Sequence, residues 1–190
     1  MKGIQTANQL GGRGIGAIFF SAFGAVWLLL ALYARQEFGI AAVSGVVAVT
    51  LLLVLASLRL IREAKHWPRV PDDPAMGRAF GWINAIQWIA ICAVAVSFAK
   101  LHIDAYVMNA IAGIVGLHMF PLGRLFRYPM HYLTGILLVT WAGASIFLVP
   151  AEQLQGVACL GTGAILWLSA GITLTVAFQA ARQSAGAACS

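Results

Sequence analysis

Charged residues are scarce in this sequence. They make up 9% of it, whereas hydrophobic residues make up 61% and the mean hydropathy is +0.88. Soluble domains carry about 25% charged residues, so this shortage excludes an ordinary soluble fold. The 190 residues allow one compact domain and leave no room for an added soluble module. We therefore predict an all-α polytopic membrane protein with a single domain.

Cysteine is also rare. Cys92, Cys159 and Cys189 are scattered, and no two of them form a Cys-x-x-Cys pair. This spacing indicates neither a disulfide framework nor a zinc site. In an apolar segment, a free cysteine usually behaves as a small buried hydrophobe.

Several catalytic motifs are missing. The sequence contains no P-loop, no His-Glu-x-x-His, no Gly-x-Ser-x-Gly and no Gly-x-Gly-x-x-Gly. Nucleotide hydrolysis, zinc proteolysis and serine hydrolysis therefore have no support. The sequence identifies no catalytic residue and requires no cofactor, so we favour a role other than that of an enzyme.

Six apolar stretches are long enough to cross the hydrocarbon core of a bilayer, which takes roughly 20 helical residues. They cover residues 14–33, 39–61, 79–99, 105–126, 130–149 and 156–180. The loop at 62–78 is rich in proline and charge, and is predicted to lie in water. Within it, Asp72 and Asp73 precede Pro74, a pattern typical of a helix start. Limited similarity between the first and second helix pairs, such as Gly45 with Gly113, leaves helix-pair repeats as an open alternative.

The basic residues lie almost entirely on one side of the predicted spans. A formal charge of +6 could suggest nucleic acid, but these residues lie in short segments between helices rather than on one helix face. The positive-inside rule explains them better, so we predict no nucleic-acid partner. We predict a multi-pass protein of the plasma (inner) membrane with both termini in the cytoplasm. The residues on this side are Lys2, Arg13, Arg59, Arg62, Lys65, Arg69, Arg78, Arg124, Arg127 and Arg182. Only Arg35 and Lys100 fall on the other side.

Neutral polar residues form a predicted layer inside the membrane. No Asp, Glu, Lys or Arg lies at the middle of any span, which excludes a relay of buried carboxylates. Helical rise places the layer roughly 8–13 Å from the cytoplasmic helix ends. Its members are Ser21, Asn84, Gln87, His118, Thr134 and Thr173. Trp88 shares a helix face with Asn84, and buried amides must turn inward to find partners. A ligand site and interhelical hydrogen bonding are both open explanations.

The stretch 116–132 concentrates polar chemistry between two spans. Pro121 follows His118 closely and removes a helical hydrogen bond, so a kink beside the imidazole is expected. Arg124 and Arg127 end the same helix. Contact with lipid head groups is the default interpretation of these two residues, and a basic entrance for an anionic solute is the alternative.

Three functions remain open. The leading hypothesis is transport or binding of a small solute at the polar layer, with an anion as one candidate. The second is a haem-binding or catalytic membrane protein that uses His118 and His131 as ligands. The third is a structural or partner-binding subunit, in which the polar layer only fixes helix register. The lipid bilayer is a partner under all three hypotheses. Small-residue faces suggest a homo-oligomer, although they equally serve packing within one bundle. They are formed by Gly113 and Gly116 on the fourth span and by Gly161, Gly163 and Gly171 on the sixth.

Overall fold

The computed structural model describes residues 6–71 and 73–187, and for 184–187 it describes the backbone alone. Lys2, Asp72 and Cys189 lie outside the described residues. Six α-helices form the bundle: α1 Ala7–Ala34, α2 Ile40–Ala64, α3 Pro74–Lys100, α4 Val107–Leu125, α5 Pro129–Leu148 and α6 Ala151–Ala187. A short 3₁₀ turn, Asp104–Tyr106, precedes α4.

All six helices are long and apolar enough to cross a membrane, which confirms the predicted all-α, six-helix architecture. The main difference concerns helix ends. α6 begins earlier and ends later than 156–180, and the segment between α2 and α3 is shorter than 62–78 because both helices extend beyond the bilayer core. Proline and charge mark where a chain leaves the membrane, but a helix can continue into water.

Local sequence explains where several helices begin. The Thr6 hydroxyl accepts a hydrogen bond from the Gln9 backbone N–H at the start of α1. The Asp73 carboxylate accepts one from the Ala75 N–H at 2.8 Å, which confirms the predicted helix start before Pro74. Such caps satisfy backbone N–H groups that have no partner in the first helical turn.

Three helix ends use a left-handed residue that is not glycine. Gln36, His102 and Arg127 have φ values of 57°, 56° and 49°. After each of them, a backbone N–H reaches back to a carbonyl five residues earlier, as Tyr128 does to Gly123 at 3.1 Å. This arrangement is a Schellman motif, and it turns the chain sharply out of the helix.

The helices pack in the order α2, α1, α6, α5, α4, α3, with α6 also touching α2 and α4. α1 and α6 approach closely, because a Cβ on Gly163 would lie 2.9 Å from the Gly24 carbonyl oxygen. The Trp167 indole N–H donates to the Ser21 carbonyl across the same interface at 3.1 Å. α6 is therefore the central helix of the bundle.

α2 and α3 stand at the two edges. α3 has no buried residue, and it packs mainly against α4 and the 3₁₀ turn before it. Large apolar side chains such as Trp82, Ile86 and Ile89 are between 63% and 71% exposed. In a bilayer these side chains face lipid, so their exposure agrees with a multi-pass membrane protein.

Candidate functional site

A group of six aromatic and histidine side chains lies near the end of the bundle that carries most of the Lys and Arg, which we call the basic end. We call this group the aromatic–histidine cluster. It consists of Phe20 from α1, Phe80 from α3, His118 from α4, Phe126 and Tyr128 from the α4–α5 turn, and His131 from α5.

His131 is the centre of the cluster. Its imidazole contacts Tyr128 edge to face at 5.3 Å between ring centroids, and Phe20 in the same manner at 5.8 Å. Phe126 lies 6.1 Å away and itself contacts Phe80 at 5.8 Å. These centroid distances fall in the range of direct ring contact. The imidazole is thus enclosed by rings that come from α1, the α4–α5 turn and, one layer further out, α3.

Tyr128 connects this cluster to two further helices. The Arg13 guanidinium carbon lies 4.8 Å from the centre of the Tyr128 ring, a cation–π distance. The Tyr128 hydroxyl donates a hydrogen bond to Thr173 Oγ1 of α6 at 3.2 Å. Thr173, predicted to belong to the polar layer, is therefore in direct contact with the cluster.

One polar atom in the cluster has no hydrogen-bond partner among the described residues. His131 Nδ1 is buried and makes no hydrogen bond to any described group. His118 lies close to His131, on the neighbouring helix α4. A buried polar atom without a partner is costly in a membrane, where water is scarce.

The α4–α5 turn explains why these groups converge. α4 ends after Leu125, Arg127 adopts the left-handed conformation, and Pro129 begins α5. The reversal takes only a few residues, so Phe126, Tyr128 and His131 all project from one turn. The predicted stretch 116–132 does contain the connection between two spans, at 126–128, and α4 continues past Pro121 to Leu125.

Ser21 and Thr134 of the predicted layer are buried within helix contacts. The Ser21 hydroxyl donates to the Ala17 carbonyl of its own helix at 2.7 Å. Thr134 Oγ1 lies 2.9 Å from the Met130 carbonyl oxygen and 2.8 Å from the Ser169 hydroxyl of α6. Both hydroxyls therefore already have protein partners, as interhelical or backbone hydrogen bonding would predict.

Asn84, Gln87 and Trp88 occupy the edge helix α3. Asn84 and Gln87 are half-buried, and the Asn84 amide donates to the Phe80 carbonyl one turn earlier at 2.8 Å. Trp88 is 56% exposed. The amides thus lie on the α3 surface rather than deep in the bundle, with Trp88 facing outward.

Arg124 and Arg127 are exposed at the basic end. They flank Phe126 in the chain, but neither is part of the ring contacts of the cluster. Their positions are compatible with both explanations given by the sequence, contact with head groups and attraction of an anion to the cluster.

Sequence reasoning missed the contributions of Phe20, Phe80 and Arg13. Aromatic residues are frequent in membrane helices, and nothing in the spacing of Phe20 or Phe80 indicates that they meet the α4–α5 turn. Only the packing of α1 and α3 around α4 and α5 brings them there. Within the described part of the chain, no group of three or more His, Cys, Asp or Glu is arranged to hold a metal ion.

Comparison with known proteins yields no relative from which a role could be inferred. No protein-family model matches the chain, and no curated protein or solved structure is significantly similar to it.

Proposed function

We propose that this protein binds a small anionic solute at the aromatic–histidine cluster and passes it across the membrane. The observation that carries the proposal is the buried His131 Nδ1 atom, which lies among rings and has no described protein partner. A solute with a hydrogen-bonding group would satisfy this atom, and the surrounding rings favour a flat, partly apolar body.

Charge around the cluster favours an anion. Arg13 lies over the Tyr128 ring, Arg124 is in the last turn of α4, and Arg127 lies in the α4–α5 turn. Basic side chains at the mouth of a low-dielectric site raise the local concentration of anions and speed their association.

Phe126 is the ring best placed to admit a solute. It is 43% exposed, whereas Phe20 is 7% exposed, and it lies directly before the left-handed Arg127. Movement of Phe126 away from His131 would uncover the imidazole without disturbing the buried side of the cluster. Solute binding is therefore coupled to the conformation of the α4–α5 turn.

Benzenesulfonate is a suitable probe, because it is flat, permanently anionic and a poor permeant of lipid. We expect it to raise the melting temperature of the purified protein and to enter proteoliposomes that contain it. His131→Phe keeps a ring but removes Nδ1, and it should weaken binding about tenfold, since a hydrogen bond to a charged group contributes about 1.5–3 kcal/mol.

His102→Asn is the matched control. His102 lies in the turn after α3, outside the cluster, and asparagine tolerates its left-handed backbone. Equal binding by His131→Phe and the unsubstituted protein would exclude His131 from the site. Equal or tighter binding of phenyltrimethylammonium would refute the preference for anions.

Haem binding by His118 and His131 is the weaker proposal. The two histidines do lie near each other, which is what favours it. Three rings, however, contact His131 at 5.3–6.1 Å, so a macrocycle could reach Nδ1 only if several of them moved. A Soret band in the absorbance spectrum of the purified protein would reverse this ranking.

Assembly into a homo-oligomer remains a separate proposal, but not all of the glycines that suggested it support it. Gly116 packs against α5, and Gly163 packs against α1, so these small residues serve contacts inside the bundle. Gly171 has open space around it. α2 and α3 also carry large exposed apolar faces, with Leu52 66% and Ile89 68% exposed. A second copy would bind on such a face, and the mass of the protein in nanodiscs tests whether one does.

A further inference from the structure

A second site lies between α2 and α6, away from the aromatic–histidine cluster. It is a groove of about 780 Å³ at the basic end of the bundle, a volume typical of small-molecule sites. Its polar lining comes from α2, the following loop and α6, and consists of Arg59, Glu63, His66, Trp67, Thr175, Gln179 and Arg182.

The loop wall of this groove is fixed in place. The Ala7 backbone N–H donates to the Pro68 carbonyl at 2.8 Å. Asn8 makes two hydrogen bonds with the backbone of Val70, at 2.9 and 3.1 Å. The Trp67 side chain packs against the apolar core. The first turn of α1 thus holds the loop beside α6, and the groove is a formed feature of the fold.

The charges in the groove suit one phosphate diester. Arg59 lies 3.4 Å from the Glu63 carboxylate, so its charge is partly compensated. Arg182 is exposed and lines the opposite wall. Two guanidinium groups and one carboxylate leave one positive charge, which matches the single negative charge of a phosphodiester.

The position of the groove along the membrane normal favours a lipid as its ligand. Arg59 lies seven residues, or about 10 Å, beyond the middle of α2, and its long side chain extends further toward the head groups. The hydrocarbon core ends about 15 Å from its centre. The guanidinium therefore reaches the level at which lipid phosphates lie.

Rows of exposed apolar side chains on α2 and α6 extend from the groove toward the middle of the membrane, and we call these rows the apolar tracks. On α2, Leu52 and Leu55 share the face of Arg59 and are 66% and 60% exposed. On α6, Ile172 and Leu168 continue the face of Arg182 and are 43% and 65% exposed. A free phosphate ion would make no use of these tracks, whereas acyl chains would lie along them.

From these observations we propose that the groove binds a membrane phospholipid, with its phosphodiester held by Arg182 and Arg59 and its acyl chains along α2 and α6. Glu63 opposes this binding, because it competes with the phosphate for Arg59. The proposal is independent of the function assigned to the aromatic–histidine cluster.

Native mass spectrometry of the detergent-purified full-length protein, titrated with phosphatidylglycerol, tests the proposal. We expect Arg182→Gln to reduce lipid affinity about fivefold and Glu63→Gln to increase it, since the second substitution frees Arg59. Arg78→Gln is the matched control, because Arg78 is exposed at the basic end but does not line the groove. Loss of folding cannot mimic an increase in affinity by Glu63→Gln.

Equal affinities in all four proteins, or equal losses for Arg182→Gln and Arg78→Gln, would overturn the proposal. Inorganic phosphate distinguishes the source of the phosphate group. If millimolar phosphate binds with the same dependence on Arg182 while phosphatidylglycerol does not bind, the groove is a site for a soluble anion and the lipid assignment is wrong.

Discussion

Gly116 of α4 and Gly135 of α5 bring two helix backbones into contact. A Cβ on Gly135 would lie 2.7 Å from the Gly116 carbonyl oxygen, and a Cβ on Gly116 would lie 2.8 Å from a Val139 methyl group. Close approach through small residues is a common way to pack helices in membranes, where the hydrophobic effect between helices is weak. This contact supports the turn that carries Phe126 and Tyr128.

Gly135→Ala should therefore destabilise the protein by about 1–3 kcal/mol, since the added methyl group meets backbone that cannot move away without separating α4 from α5. Gly143→Ala on the same helix is the control, because nothing lies within 4 Å of its Cβ position. Thermal unfolding in one detergent compares the two variants. A melting temperature for Gly135→Ala at or above that of Gly143→Ala would contradict the close approach.

Asn109 and Ser145 form a second link between α4 and α5. The Asn109 amide donates to the Ser145 hydroxyl at 2.6 Å and to the Ala142 carbonyl at 3.1 Å, and Asn109 is 2% exposed. Hydrogen bonds between membrane helices contribute about 0.6 kcal/mol on average and up to about 1.7 kcal/mol. We expect a coupling energy in this range from a double-mutant cycle of Asn109→Ala and Ser145→Ala.

The same cycle with Asn84→Ala in place of Asn109→Ala is the control. The Asn84 amide donates to its own helix, and α3 packs mainly against α4, so Asn84 should show no coupling to Ser145. A coupling energy near zero for Asn109 and Ser145 would mean that their hydrogen bond does not stabilise the fold.

The architecture could be predicted because hydrophobic run length alone decides which segments cross a bilayer. The face of α4 with Asn109 and Gly116 was also predictable, since helical periodicity shows which residues share a face, and both residues are buried against α5. Depth in the membrane was a less reliable guide to which residues form one site. It grouped Ser21 and Thr134 with His118, although the two hydroxyls already bond to protein groups.

The composition of the cluster could not be predicted in the same way. Rotational position and helix neighbours decide whether residues at one depth meet, and the sequence of a single helix does not specify its neighbours. Phe20 meets His131 because α6 holds α1 beside the α4–α5 pair. Trp88 shares a face with Asn84 but is exposed, because α3 lies at the edge of the bundle.

Arg35 and Glu37 form an ion pair in the turn between α1 and α2. Two guanidinium nitrogens lie 2.9 and 3.1 Å from the carboxylate oxygens. Hydrogen bonding by Arg35 lowers the pKa of Glu37 below its ordinary value of 4.5. A lowered pKa in the folded state means that the pair stabilises the turn above the ordinary pKa, and that this contribution is lost as the pH falls through the folded value.

We expect an NMR titration of Glu37 in micelles to show a midpoint below 4.5, and Arg35→Gln to bring it back toward that value. Both side chains are exposed, so the effect on overall stability should be small and should shrink at high salt. An unchanged midpoint in Arg35→Gln would mean that the ion pair does not persist in solution.

The distribution of Lys and Arg predicts the orientation of the bundle in the membrane. With both termini in the cytoplasm, the turn before α6 faces outward, while the loop between α2 and α3 faces inward. Glu152 is exposed in the first turn of α6, and Arg69 is exposed in the loop. In a background without Cys92, Cys159 and Cys189, Glu152→Cys should react with an impermeant maleimide in intact cells, and Arg69→Cys only after permeabilisation. The reverse pattern would invert the orientation, and it would place both the aromatic–histidine cluster and the lipid groove on the outer side of the membrane.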